Sequence, residues 1–137
     1  MAAAQKPAIV LTRGTYDALN LLADKHAERS PQLCDALYEE LDRARIVPDG
    51  KLERGVVRIG STIRYAAEDG AERTVTLVYP GEADIAQGRL SVLTPVGVAL
   101  IGMKEGRSID WLAVNGQRHS LTVLKVLGEE EAVGAGA

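Results

Sequence analysis

Few residues in this sequence are of types that do acid–base or nucleophilic chemistry. His26 and His119 are the only imidazoles, and Cys34 is the only thiol. Nucleophilic catalysis needs a hydroxyl or thiol held beside an imidazole, and the predicted elements give neither histidine such a partner. We interpret both histidines as solvated or hydrogen-bonded structural residues and Cys34 as a buried thiol. The sequence therefore predicts no catalytic residue.

A glycine pair, Gly97 and Gly102, has the four-residue spacing of a phosphate-binding loop. That motif continues with Lys directly after the second Gly and then Ser or Thr, whereas here Met103 precedes Lys104 and Glu105 follows it. The residues between the two glycines are all apolar. We interpret the segment as a buried helical turn whose glycines allow a close backbone approach, and we expect no cofactor.

Asp24 and Glu28 could hold a hard cation, because carboxylates four residues apart share one face of a helix. Lys25 and Arg29 are interleaved with them, which is typical of a solvated helix surface. One cysteine and two histidines also leave no zinc constellation. The sequence therefore predicts no bound metal.

The first part of the chain, residues 1–47, has a helical pattern from Thr12 to Arg45. Thr12 is placed to cap a first helix, and Ser30 before Pro31 ends that helix and starts a second one. Two helices joined by so short a turn run antiparallel, so this part is predicted to be a short helical hairpin. The inner stripe of the second helix is formed by Cys34, Leu37, Leu41 and Ala44.

The second part has the period-two alternation of β-strands and follows a polar linker at residues 48–54. Residues 55–127 are predicted to form an antiparallel sheet with one short helix opened by Pro95, and residues 128–137 a frayed tail. Asn115-Gly116 is a two-residue hairpin signal. The chain is thus predicted to be an α+β protein. Its strand candidates are Val56 to Tyr65, Arg73 to Tyr79, Arg89 to Leu93, Ser108 to Val114 and Arg118 to Leu127.

Composition limits the class of protein further. The 137 residues are 46% hydrophobic and carry a formal net charge of -3, which disfavours binding of duplex DNA by phosphate neutralisation. The longest apolar runs are far shorter than the ~20 residues of a spanning helix, and residues 1–7 do not resemble an export signal. We expect a cytoplasmic protein that binds neither membranes nor specific DNA sequences.

Beyond these patterns, the sequence resembles a known family over nearly all of residues 7–127. The segments IVLT at 9–12 and ELDRA at 40–44 are similar to the branch of the Gre-factor family called regulator of nucleoside diphosphate kinase. The block that resembles the signature of the Gre-factor C-terminal domain is more specific, and comprises TVTLVYP at 74–80, EAD at 82–84 and LSVLTPVGVALIG at 90–102.

The resemblance implies an FKBP-like β domain that docks at the rim of the RNA polymerase secondary channel. In Gre factors a long coiled coil enters the channel and presents acidic residues that hold magnesium for RNA cleavage. Here the first helix has at most about fifteen residues, or roughly 22 Å, and the tip at Asp24, Lys25, Glu28 and Arg29 has mixed charge. By positional match, the resemblance implies polymerase contacts from Ser91, Thr94, Pro95, Gly97, Leu100 and Gly102.

We therefore predict a non-enzymatic transcription regulator that binds RNA polymerase, competes with Gre factors and does not itself stimulate RNA cleavage. Neither histidine has the phosphate setting of a nucleoside diphosphate kinase, so any effect on that enzyme would be indirect. Two alternatives stay open: a peptidyl-prolyl isomerase, suggested by the FKBP-like fold, and a scaffold for another protein. An isomerase needs an aromatic cleft, and the residues available for one are Tyr65, Tyr79 and Trp111.

Overall fold

A computed structural model describes residues 8–112 and 117–127 of the protein, with the backbone alone at residues 111 and 112. Two helices near the N-terminus are followed by a five-stranded sheet that carries a short third helix, so the predicted α+β class is confirmed. In chain order the elements are β1 (Val10–Thr12), α1 (Arg13–His26), α2 (Pro31–Arg43), β2 (Arg45–Val47), β3 (Thr62–Ala67), β4 (Glu72–Val78), β5 (Arg89–Ser91), α3 (Pro95–Leu100), β6 (Ser108–Leu112) and β7 (Arg118–Leu127).

Helices α1 and α2 form the predicted hairpin. Thr12 Oγ1 accepts a hydrogen bond from the backbone N–H of Thr15 at 3.3 Å and so caps α1. Pro31 is the first residue of α2, where its missing N–H costs nothing because no helical carbonyl precedes it. The stripe predicted for α2 faces inward. Its buried members are Cys34, Leu37 and Leu41.

Two short strands flank the hairpin, and the sequence pattern predicts neither. The predicted helical pattern reaches Arg45, whereas α2 ends at Arg43 and β2 begins at Arg45. Val10 of β1 lies opposite Arg45 in a parallel pair, and Arg45 N–H donates to Ile9 O at 2.9 Å. Strands of three residues are too short to show an alternation, so no periodicity could have indicated them.

The main sheet has the strand order β5-β4-β3-β7-β6. The pairs β3–β4, β3–β7 and β6–β7 are antiparallel as predicted. Strand β5 lies parallel to β4, so the prediction of a wholly antiparallel sheet is wrong at this edge. Two 3-10 turns, Pro80–Glu82 and Ile85–Gln87, carry the chain back far enough for β5 to run in the same direction as β4.

The strand predicted from Val56 to Tyr65 is also wrong in its first half, because β3 begins only at Thr62. Val56 forms an isolated bridge with Lys104, and the Val57 N–H donates to Met103 O at 2.8 Å. Val56 and Val57 are both 1% exposed. Their apolar character therefore reflects burial under the loop after α3 and not membership of a long strand.

The other strand bounds need smaller corrections. Strand β5 ends at Ser91 and not at Leu93, and β6 is described as far as Leu112. The predicted turn at Asn115-Gly116 and the tail at 128–137 lie outside the described residues.

Helices and sheet share one hydrophobic core. The hairpin therefore has no core of its own, and its helix α2 packs on α3. Among the described residues no helix is both long and apolar enough to cross a membrane. The predicted domain boundaries stay a prediction. Fully buried side chains come from β1, both hairpin helices, α3 and the sheet, and include Ile9, Leu11, Leu19, Leu37, Ile63, Leu77, Leu100 and Ile109.

Candidate functional site

The block with the most specific sequence pattern forms a closed turn between β5 and α3. Ser91 Oγ accepts a hydrogen bond from Leu93 N–H at 3.0 Å, and Ser91 O accepts one from the Thr94 hydroxyl at 2.8 Å. Thr94 Oγ1 in turn accepts from Gly97 N–H at 3.0 Å, which makes Thr94 the N-cap of α3. Both hydroxyls thus form hydrogen bonds with backbone groups that would otherwise be unpaired, in the turn and at the start of the helix. We call residues 91–97 the signature turn.

Pro95 is the exposed residue among the six predicted contacts, whereas Ser91 and Thr94 are half-buried. It occupies the first helical position of α3, where its ring fixes φ and restrains Thr94 to the extended backbone that is observed. Pro95 therefore combines an accessible side chain with a position set by the turn, and it can touch a partner directly.

Gly97 and Leu100 lie on the buried side of α3. A Cβ atom on Gly97 would stand 2.4 Å from Ser91 O and 2.7 Å from Val92 Cα, closer than packed atoms approach. Leu100 is 0% exposed. These two residues hold α3 against the end of β5 and can shape a binding surface only from beneath. The interpretation of the Gly97–Gly102 segment as a buried helical turn is confirmed.

Gly102 joins the end of α3 to the N-terminal part of the chain. Its φ of 77° is in the left-handed region that favours glycine, and a Cβ there would lie 2.9 Å from Ile9 Cβ. Its carbonyl accepts from Val10 N–H at 3.0 Å. Helix α3 is therefore held at both ends, by β5 and by β1.

The structure brings the three segments of the specific block together at one edge of the sheet. The EAD segment ends the first 3-10 turn and connects it to the second. Asp84 and Arg89 exchange two backbone hydrogen bonds of 2.9 Å. Ile85, which the sequence analysis did not single out, is 70% exposed in the same turns. Its apolar type gave no signal, because an isoleucine between strands usually indicates burial.

The hairpin tip is built differently from the signature turn. Asp24, Lys25, Glu28 and Arg29 are all exposed. The Tyr38 hydroxyl donates to Asp24 Oδ1, and this hydrogen bond raises the pKa of Tyr38 to about 12. Asp24 is thus bonded across the hairpin to α2. Within residues 8–112 and 117–127, no three His, Cys, Asp or Glu side chains lie close enough together to hold a metal ion.

The histidines and the cysteine have the structural settings that the sequence predicts. His26 Nδ1 lies 3.0 Å from Leu22 O, and His119 Nδ1 lies 2.9 Å from Glu68 Oε2. Cys34 is buried, and burial raises the pKa of its thiol. The interpretation of these residues as hydrogen-bonded or buried groups is confirmed.

A cleft of about 390 Å³ opens beside α3. Its wall is formed by residues from the β3–β4 hairpin, α3 and the start of β7. Such a cleft has no signal in the sequence, because its lining residues run from Tyr65 to Leu121, 56 positions apart in the chain.

Known proteins match both parts of the chain. Residues 52–127 match the family model "Transcription elongation factor, GreA/GreB, C-term", and residues 7–47 match "Rnk N-terminus". The regulator of nucleoside diphosphate kinase of Escherichia coli (strain K12) is 33% identical over 130 residues, which cover 94% of this chain and 96% of that protein. The transcription elongation factor GreA of Rhodospirillum rubrum is 38% identical over 102 residues, which cover 70% of this chain and 65% of that protein.

A solved structure is also similar. It is that of "Prokaryotic transcription elongation factor GreA/GreB from Nitrosomonas europaea", with a TM-score of 0.68 and 30% identity over 86% of this chain and 98% of that chain. The signature turn lies inside the C-terminal family match, and the hairpin lies inside the N-terminal one.

Proposed function

The chain belongs to the GreA/GreB family, in the branch that carries an Rnk N-terminus, and from this premise we propose that it regulates transcription by binding RNA polymerase. The relatives are named as a regulator and as transcription elongation factors, which favours a non-enzymatic role. We further propose that the binding site is the rim of the secondary channel, and that this protein competes there with Gre factors.

The observation that carries the proposal is the construction of the signature turn. It is held by the Ser91 and Thr94 hydroxyls from within and by Gly97 from beneath, and it presents Pro95 to solvent. A surface that is already ordered before binding loses little conformational entropy when a partner docks. We place the polymerase contact here, with Pro95 touching the partner and the buried members of the block supporting it.

We propose that the hairpin acts as a short plug without cleavage activity. Helix α1 has 14 residues, which at about 1.5 Å per residue span about 21 Å. Asp24 bonds Tyr38 of α2, and Glu28 is accompanied by Lys25 and Arg29. Neither the length nor the charge of this tip is suited to delivering several carboxylates to a distant magnesium ion.

The isomerase and scaffold alternatives stay predictions. Of the two described tyrosines that an isomerase pocket could use, Tyr65 lines the cleft beside α3 and Tyr79 does not. Among the described side chains of that cleft Tyr65 is the one aromatic ring, and one ring does not enclose a proline. The scaffold alternative requires that the full chain bind some other protein and ignore polymerase.

Displacement of a fluorescently labelled GreA factor from core RNA polymerase tests the proposal. We expect the full chain to displace the label completely at saturation, because two proteins that share one rim site exclude each other. If the chain binds polymerase and leaves the labelled factor in place, the rim assignment is wrong. If it does not bind polymerase at all, the proposal fails and the scaffold alternative gains support.

A further inference from the structure

The cleft beside α3 lies against the face of the sheet that carries Tyr65 and Leu121. Val96, the second residue of α3, closes one side. Tyr65, Leu121 and Val96 make this wall apolar; the first two lie just beneath the surface, at 6% and 2% exposed. The volume of about 390 Å³ is in the range of small-molecule sites.

The carboxylates at the rim of the cleft are already engaged. Glu68 Oε1 accepts from Ser120 N–H at 2.8 Å, and Glu68 Oε2 lies 2.9 Å from His119 Nδ1. Both hydrogen bonds lower the pKa of Glu68, and the one from the Ser120 N–H has the larger effect. Asp69 Oδ1 accepts from Ala71 N–H at 2.9 Å in the β3–β4 turn.

Arg73 places a positive charge in the lining of the cleft, opposite in sign to Glu68 and Asp69. It lies directly opposite Tyr65 in the register of β3 and β4 and is exposed. Burial raises the pKa of the Tyr65 phenol, and the positive charge of Arg73 on the neighbouring strand lowers it. Arg73 makes no ion pair with any residue in the described ranges.

The opposite face of the β3–β4 hairpin carries a second arginine, which serves as a comparison for Arg73. Arg64 is exposed there too, but its Nε donates to Glu72 Oε1 at 2.9 Å. One β-hairpin therefore carries two arginines, one already paired with a carboxylate on the outer face and one beside an apolar wall.

We propose that this cleft binds small amphiphilic monocarboxylates. The apolar part packs on Tyr65, Val96 and Leu121, and the carboxylate pairs with Arg73, whose planar guanidinium matches its geometry. A single negative charge fits better than a double one, because Glu68 and Asp69 already place two carboxylates at the rim. This site shares Val96 with the signature turn, but its test uses the full chain without polymerase, so its outcome does not depend on the proposed function.

Titration of the isotope-labelled full chain with 4-phenylbutyrate, followed by amide chemical shifts, tests the site. We expect shifts centred on the amides of Tyr65, Arg73 and Val96. The neutral 4-phenylbutanamide and the cationic 4-phenylbutylamine have the same apolar part. We expect both to bind about tenfold more weakly than the acid, because neither can form the charge-assisted hydrogen bond between a carboxylate and Arg73. Equal affinity for acid and amide, or shifts centred elsewhere, would overturn the proposal.

Three variants sharpen the test. Arg73→Gln should weaken 4-phenylbutyrate binding about tenfold, whereas Arg64→Gln, the matched change on the outer face, should leave it unaltered. Asp69→Asn keeps a side-chain oxygen for Ala71 N–H and removes a negative charge from the rim, so it should strengthen binding. A dispersed amide spectrum shows that each variant is folded. If a folded Arg73→Gln variant binds the acid as tightly as the unaltered chain, the assignment of the carboxylate is wrong.

Discussion

The signature turn and the hairpin tip are the two regions to which the sequence points, and they differ in how firmly the rest of the molecule holds them. The turn is anchored by side-chain hydroxyls, by Gly97 against β5 and by a helix packed on α2. The tip is exposed at Asp24, Lys25, Glu28 and Arg29 and has one described bond across the hairpin, from Tyr38 to Asp24.

This difference separates two ways in which a protein can use a channel in a partner. An ordered turn provides a docking surface whose shape is set in advance. A short, solvated tip occupies space and tolerates substitution. If the signature turn is the docking surface, substitutions in it alter polymerase binding and substitutions in the hairpin tip do not.

The largest effect is expected from Gly97→Ala. The added methyl would stand 2.4 Å from Ser91 O and 2.7 Å from both Cα and O of Val92. Because all three atoms belong to the backbone, α3 must move away from β5. Overpacking of this kind costs about 3 kcal/mol, which urea unfolding measures. Gly81→Ala is the matched control, since a Cβ there meets nothing within 4 Å. Equal unfolding midpoints for the two variants would mean that the turn is not held from beneath.

Pro95→Ala should mainly affect binding. The side chain is exposed, and removal of a contact residue at an interface costs on the order of 1 kcal/mol, or about fivefold in affinity for polymerase. Pro31→Ala changes an exposed proline at the same position of α2 and should leave affinity unchanged. Identical affinities for the two variants in the labelled-factor displacement assay would remove Pro95 from the contact surface.

Thr94→Ala tests the internal bonds of the turn. Its hydroxyl both donates to Ser91 O and caps Gly97 N–H, so its loss should reduce the free energy of unfolding by about 1 kcal/mol. Thr94→Ser retains the hydroxyl and should recover most of that stability. Urea unfolding of the two variants decides the point, and a serine variant as unstable as the alanine variant would show that the bonds are not responsible.

At the tip, the double change Glu28→Gln with Arg29→Gln should shift the free energy of unfolding by less than about 0.5 kcal/mol, the usual range for exposed residues. Polymerase affinity should also stay the same, because we propose that the contact lies in the signature turn. A clear loss of affinity would show that the tip contributes to binding.

The bond between Tyr38 and Asp24 can be tested by pH. The hydrogen bond to Asp24 raises the pKa of Tyr38 to about 12 in the folded chain, above its ordinary value of 10.0. The hydrogen bond therefore contributes to the free energy of unfolding below pH 10, and this contribution is lost as the pH rises through about 12. Ring-carbon NMR of Tyr38 should show the raised pKa, and Asp24→Asn should bring it down toward 10. An unchanged titration in that variant would mean that Asp24 is not bonded to α2.

Local signals in the sequence were sufficient to predict where the helices begin. Thr12 at the first cap, Ser30 before Pro31, and Pro95 at the start of α3 each act within a few residues, so their effects are visible in the sequence itself. The apolar stripe at Cys34, Leu37 and Leu41 likewise has the spacing of a buried helix face, and all three are buried.

Features that depend on distant partners could not be predicted in this way. The pairing of Val10 with Arg45 and of β5 with β4 in parallel is decided by tertiary contacts, because strands of three residues have no periodicity of their own. Leu100 matches the family pattern, but only the packing shows that it is fully buried. The cleft at Tyr65 and Arg73 needs the sheet register before its lining residues meet.

Backtracked elongation complexes provide the most direct test of the central claim, that the chain docks at the polymerase rim through the signature turn and has no cleavage activity of its own. We expect the full chain to inhibit GreA-stimulated shortening of the nascent RNA in proportion to its concentration, and to cause no shortening alone. The Pro95→Ala variant should inhibit less than the Pro31→Ala variant. RNA shortening by the chain alone, abolished when Asp24→Asn and Glu28→Gln are combined, would contradict the account, because the tip would then reach the active centre.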